Sequence, residues 1–115
     1  VIDSSLAFIT KIKILVQCDR ALTKADIENI KVYGGSIVKF ETKSRQFSKR
    51  IYSLRVKKID SNRFAITVIT DGGFQVKQFI GEREYAKPNI SEIFDSNCRC
   101  ISFDILDVDI QKHFF

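Results

Sequence analysis

The sequence holds a single histidine, His113, close to its end, and a single proline, Pro88. With no histidine near any serine or cysteine, triad-type nucleophilic catalysis lacks its base. Cysteine is scarce and odd in number: Cys98 and Cys100 lie two apart, and Cys18 is distant. A disulfide framework calls for an even set, so reduced, buried thiols in a cytoplasmic setting are expected. There is no CxxC pair, and three cysteines with one remote histidine make a poor zinc ligand set. No metal and no cofactor are therefore expected. No apolar run approaches the ~18 residues a membrane span needs, and the opening residues carry no signal-peptide pattern, so no membrane partner is expected. Nucleophile elbow, phosphate loop, dinucleotide fingerprint, HExxH and kinase-type motifs are all missing. So are low-complexity tracts and internal repeats.

What is present fits one globular domain, or one lobe of a larger one: 115 residues, 44% hydrophobic, with ten Phe. The formal net charge of +5 becomes informative once located. Between Thr42 and Ile59 stand Lys43, Arg45, Lys49, Arg50, Arg55, Lys57 and Lys58, and no acidic residue. The rest of the chain carries twelve basic against fourteen acidic residues. All the positive excess sits in one segment, which points to a polyanion partner, nucleic acid first. The competing reading is a solvated cationic hairpin with no ligand.

Taken in order, Val1–Thr10 reads as a helical lead-in, and Lys11–Cys18 as a strand with Ile12, Ile14 and Val16 on one side. Thr23 with Asp26 three residues later is a capping-box pattern, and Leu22 with Ile27 a hydrophobic staple. The helix should run from Lys24 to about Val32, with Ile27 and Ile30 inward, and stop at Gly34-Gly35. Ser36–Phe40 reads as a strand and Thr42–Lys49 as a loop or irregular strand end. Arg50–Thr70 reads as an antiparallel hairpin turning at Asp60-Ser61-Asn62. In it Tyr52, Leu54 and Val56 face the core, while Ser53, Arg55 and Lys57 face outward. Phe40, Phe47 and Tyr52 would permit base stacking but serve a core equally well.

Gly72-Gly73 then marks a turn, followed by a short helix over Phe74–Gly81 with Lys77 near its start. Glu82–Lys87 reads as a charged loop, and Asn89 caps a helix over Ile90–Phe94. Arg99–Ile110 is the last strand, with Ile101, Phe103 and Ile105 on one face and Leu106, Val108 and Ile110 on the other. That switch of parity suggests a bulge. Asp104, Asp107 and Asp109 on this strand read as solvated, since no glycine-bearing calcium-loop pattern surrounds them.

From about Thr10 to Ile110 the chain resembles the C-terminal part of the catalytic region of the archaeal and eukaryotic tRNA pseudouridine synthases that act on T-loop uridines 54 and 55. The most specific match is Gly73-Phe74-Gln75-Val76-Lys77-Gln78-Phe79-Ile80, running on through Gly81-Glu82-Arg83-Glu84-Tyr85-Ala86-Lys87-Pro88-Asn89-Ile90. Ile101–Asp109 is similar to the family's last strand, Ala21–Ile30 to its helix, and Thr42–Lys57 to its arginine-rich segment.

The resemblance implies an α+β fold, a mostly antiparallel sheet with short helices, making half of a pseudouridine synthase catalytic domain. It implies that Lys77 is the basic residue that pairs with the catalytic aspartate, a cation keeping that carboxylate ionised and oriented. It implies tRNA as partner, held by Lys43, Arg45, Lys49, Arg50, Arg55, Lys57 and Lys87, with the target base flipped from its stack.

The departures are specific. The family's aspartate lies in a Gly-Arg-Glu-Asp setting upstream of everything in this chain. The family's active-site tyrosine falls on Ile12, or on Lys13 with a one-residue shift. Ser48 stands where the family has histidine, and Phe74-Gln75 where it has Thr-Tyr. The expectation is thus residues 1–115 as a single domain, the C-terminal lobe of a tRNA pseudouridine synthase. An upstream lobe or second chain would supply the aspartate. The alternatives are a non-catalytic RNA-binding module, which needs an exposed basic face but not Lys77, and a structural or interaction domain, whose cations would be scattered or paired with Asp and Glu.

Overall fold

The computed structural model describes residues 7–82 and 85–111. Strand β1 (Ala7–Cys18) follows the strict alternation of its sequence: Ile12, Ile14, Val16 and Cys18 are buried, while Lys11 and Lys13 between them are exposed. It reaches further back than expected. Residues 7–10 are extended and not helical, because the last strand pairs with β1 along its whole length, from Ala7 opposite Gln111 to Cys18 opposite Cys98. Residues 1–6 of the expected helical lead-in lie outside the described residues.

Helix α1 (Lys24–Lys31) starts as its sequence dictates. The Asp26 N–H donates to Thr23 Oγ1 at 3.2 Å, and the Thr23 N–H donates to Asp26 Oδ2 at 2.8 Å, closing a capping box. Ile30 is fully buried and Ile27 half-buried; Val32 caps the helix just before Gly34-Gly35. Strands β2 (Ile37–Glu41), β3 (Gln46–Lys58) and β4 (Arg63–Asp71) follow as two hairpins. The stretch expected to be an irregular loop, Thr42–Lys49, is a tight turn only up to Arg45, where the Thr42 N–H donates to the Arg45 carbonyl at 2.9 Å. From Gln46 it is regular strand. Its alternation was hidden because Lys49 shares the core side with Phe47, opposite buried Val38.

A second correction falls at Tyr52. Register shifts between Ile51 and Ser53, so Tyr52 sits in a bulge with 47% of its surface exposed, and Ile51 is the fully buried residue. Tyr52 Oη donates to Asp71 Oδ1 at 2.7 Å, and the Arg50 N–H donates to Asp71 Oδ2 at 2.8 Å. One carboxylate thus satisfies a backbone N–H and a side-chain hydroxyl at the end of the β3–β4 ladder. Leu54 and Val56 do pack on the core, and Arg55 and Lys57 do face outward, as expected.

Helix α2 (Val76–Ile80), strand β5 (Tyr85–Lys87), helix α3 (Ile90–Phe94) and strand β6 (Cys98–Gln111) complete the chain. The expected charged loop over Glu82–Lys87 is strand from Tyr85 on: Ala86 pairs with Phe40 of β2 and is buried with it. Asn89 caps α3 as expected, accepting from the Glu92 N–H at 2.9 Å.

The sheet has the order β5-β2-β3-β4-β1-β6, every pairing antiparallel. The helices contribute Ile30, Phe79, Ile80, Ile90 and Phe94 to one core built on a single face of it. Phe40 joins Phe47, Phe74 and Phe79 in edge and stacked contacts beneath α2, and Phe64 meets Phe94 beneath α3. This is the α+β, antiparallel architecture that the sequence led us to expect.

On β6 the expected bulge is present at Leu106, between Asp107 opposite Lys11 and Ile105 opposite Ile12. The bulge absorbs the change of parity. Phe103, Ile105 and Val108 therefore fall on one face, opposite Ile14, Ile12 and Thr10, and not on two. A second bulge, at Ile101, had no sequence signal.

Candidate functional site

Strand β4 ends at Asp71, and the chain turns through Gly72-Gly73, where Gly73 takes φ +83°, a left-handed conformation that favours glycine. Phe74 is driven into the core against Phe40 and Phe79, which fixes where α2 begins. The helix closes on Gly81, at φ +104°, whose N–H donates to the carbonyls of Lys77 and Gln78 at 3.1 and 3.0 Å. The Glu82 N–H donates to the Lys77 carbonyl at 3.0 Å, so the Lys77 carbonyl is held by the two residues that follow the helix. The Glu82 carboxylate accepts from the Cys100 N–H at 2.7 Å, and Ser91 Oγ donates to the Ile80 carbonyl at 2.7 Å. These bonds tie α2 to β6 and α3.

Lys77 itself is exposed. It stands at a cleft of about 520 Å³ lined by Ile12, Phe74, Gln75, Val76, Gln78, Phe103 and Ile105. One wall of the cleft is β6, which lies at the edge of the sheet and leaves Ile101, Phe103, Ile105, Leu106 and Val108 between 42 and 58% exposed. Of the two positions matching the family tyrosine, Ile12 lines this cleft, and Lys13 projects from the opposite face of the sheet.

The expected nucleic-acid contacts divide among three places. Register puts Arg50, Arg55 and Lys57 on the helix-free face of β3, and Lys87 on β5 opposite Lys39, beside a hollow that also takes in Ser48 and Phe47. Lys43 and Arg45 lie in the β2–β3 turn, with the Arg45 guanidinium 4.6 Å from the centre of the Phe47 ring. Lys49 is half-buried on the helix side, its Nζ reaching over Gly73. Of the three aromatics considered for stacking, Phe40 is core, Phe47 is half-buried under Arg45, and Tyr52 is exposed but bonded to Asp71. Lys11, Lys13 and Lys39, which the sequence reading did not single out, are also exposed on the helix-free face. The alternation of Ile12, Ile14 and Val16 already placed the first two on the outer face.

The ion pairs lie elsewhere. Among the described residues they are Arg20–Asp26, Lys31–Glu28, Arg63–Asp60 and Arg99–Asp19, none using a cation from the Thr42–Ile59 segment. Arg20 is a hub: it donates to both Asp26 oxygens at 2.7 and 2.8 Å and to the Phe94 carbonyl, joining the start of α1 to the end of α3. That guanidinium, with burial opposing and the Thr23 N–H and hydroxyl assisting, holds the Asp26 carboxyl well below the usual carboxylate range.

All three cysteines are free thiols. Strand pairing brings Cys18 and Cys98 together in the core, Sγ to Sγ 2.7 Å apart; the Cys98 thiol is pushed up by its bond to Cys18 and by burial. Among the described residues no group of three or more His, Cys, Asp or Glu is placed to hold a metal, and no helix is long and apolar enough to cross a membrane.

The family model described as "Pus10, C-terminal" matches residues 9–109, which take in every element from β1 to β6. The tRNA pseudouridine synthase Pus10 of Nitrosopumilus maritimus is 35% identical over 75 residues, 65% of this chain and 19% of that protein. Its counterpart in Korarchaeum cryptofilum is 26% identical over 106 residues, 84% of this chain and 28% of that protein. The protein of the same name from Pyrococcus furiosus is 30% identical over 104 residues, covering 82% and 27%. The chain thus spans less than a third of the length of these relatives. Among solved structures, a chain of a Cbf5–Nop10–Gar1 complex superposes with a TM-score of 0.71 at 13% identity, over 87% of this chain and 30% of that one. That likeness establishes a shared fold. With the turn-and-helix around Lys77 and a match running the length of the sheet, the chain belongs to the Pus10 C-terminal family.

Proposed function

We propose that the chain acts as the C-terminal lobe of a tRNA pseudouridine synthase, contributing to the isomerisation of uridine to pseudouridine in tRNA. The observation that carries this reading is the setting of Lys77. Its backbone is fixed by the Gly81 closure, its side chain is exposed, and its cleft opens beside an edge strand with an uncovered apolar face. An aspartate brought by the upstream part of the protein would lie in that cleft. A cation there keeps such a carboxylate ionised and aimed, which a nucleophile needs. The rows of apolar side chains on β6 suit the docking of that upstream part. The basic residues Lys43, Arg45, Lys49, Arg50, Arg55, Lys57 and Lys87 would take tRNA phosphates. That none of the Thr42–Ile59 cations is paired with an acidic neighbour among the described residues favours this over a purely structural hairpin.

The test is pseudouridine formation in a tRNA transcript by this chain mixed with the upstream region. Activity that appears only on mixing, falls on the order of a hundredfold or more in Lys77→Ala, and returns in part in Lys77→Arg supports the reading. Full activity in Lys77→Ala overturns it. A second reading, an RNA-binding module without catalysis, draws on Ile12: an isoleucine in the cleft offers no ring or hydroxyl where the family has tyrosine. Salt-sensitive tRNA binding with no activity under any complementation is its expected outcome.

A further inference from the structure

We infer that Lys11 and Lys13 of β1 extend the proposed phosphate-binding set across the helix-free face of the sheet, forming with Arg55 and Lys57 of β3 an RNA-backbone track on the opposite side of the sheet from the Lys77 cleft. The inference rests on the pseudouridine synthase reading for its choice of RNA as the polyanion.

Register builds the track. Arg55 and Lys13 both lie beside Thr67 of β4, one on each side, so a single cross-strand row runs Arg55–Thr67–Lys13. The next row runs Ser53–Ile69–Lys11, and Lys57 stands one row on in the other direction, beside Ala65. Two strand spacings, about 10 Å, separate the β1 cations from those of β3. Between these rails the floor is Ala65, Thr67 and Ile69, short or half-buried side chains that leave a groove of about 460 Å³.

All four cations are exposed, and none makes an ion pair among the described residues. The carboxylates nearest in register are Asp104, opposite Lys13, and Asp107, opposite Lys11, both on β6. They border the groove on its outer side and repel a phosphate chain that strays over the sheet edge. A polyphosphate is thereby steered along the strands between the two rails. Because Ile12 points to the cleft and Lys11 and Lys13 point away from it, one RNA segment does not touch both. The track adds affinity without entering the chemistry.

The experiment measures binding of an unmodified tRNA transcript by the chain across a salt series. Lys11→Gln/Lys13→Gln is compared with Lys24→Gln/Lys31→Gln, which removes the same charge from α1. We expect the β1 pair to weaken binding on the order of tenfold at low salt and to flatten the salt slope by about two, while the α1 pair stays near wild type. Equal weakening by both pairs, showing net charge only, overturns the inference. So does wild-type binding by the β1 pair, or no binding by the wild-type chain. In the reconstituted enzyme the β1 pair should raise KM and leave kcat unchanged. Loss or survival of activity in Lys77→Ala reports separately on the proposed function.

Discussion

Asp26 carries more of the fold than its place on a solvent-side helix suggests. Its carboxylate closes the cap of α1 and takes both arms of Arg20, and through Arg20 it reaches the last carbonyl of α3. Its folded-state pKa is depressed, first by the bond to Arg20. The stability it contributes is therefore present above the ordinary carboxylate range, roughly pH 4, and is lost as pH falls below it. Asp26→Asn should cost about 2 kcal/mol at neutral pH. It should also make stability fall less steeply between pH 4 and 2, as read by urea denaturation at a series of pH values. At this scale the sequence was legible where partners are close in the chain: Thr23 and Asp26 announce their cap. Arg20 was silent, because Phe94, its other partner, comes 74 residues later. Tyr52 misled for the opposite reason. Its alternation with Leu54 and Val56 is perfect on paper, and only the pairing with β4 inserts the extra residue.

Among the elements, α2 is the one whose geometry the proposed chemistry depends on. It is five residues long, too short to stand by propensity, and is held by closures at its end. Gly81 is the tightest of these: an added Cβ would meet Ser91 Oγ at 2.8 Å and Ser91 Cβ at 2.9 Å, at a φ that side chains rarely adopt. Gly81→Ala should lower stability by about 1–3 kcal/mol in thermal or denaturant unfolding. In the reconstituted enzyme it should depress activity along with Lys77 positioning. The glycine pairs and the lysine were readable as a junction in the sequence, because turns write themselves in residue types. Strand β5 was not: Tyr85–Lys87 is three residues in a charged stretch, and only its seat beside Phe40 makes it strand. The Leu106 bulge could be foreseen from the apolar parity, although its effect, bringing Phe103, Ile105 and Val108 onto one face, could not.

For the whole molecule, the arrangement that matters is which strand lies at the edge. Alternation assigns side chains to faces but says nothing of neighbours, so the order β5-β2-β3-β4-β1-β6, with the last strand outermost, had to come from pairing. It leaves Ile105 at 58% and Val108 at 52% exposure. Since these two contribute little to the chain's own core, Ile105→Asp/Val108→Asp should change its unfolding free energy by less than about 1 kcal/mol. The same variant should abolish reconstitution of activity with the upstream region, read by pseudouridine formation and by co-elution on size exclusion. Retained co-elution would place the docking surface elsewhere.

An open edge with apolar side chains is also a hazard, since a second copy could zip onto it. Strand β6 carries Asp104 and Asp107 among its apolar residues. A second β6 laid alongside brings the same negative charges to the same edge, and like charges across a new strand pair oppose it. A segment bearing cations meets no such opposition. Strand β6 thus opposes pairing with a second copy of itself, and on the proposed reading it stays open to the upstream part of the protein.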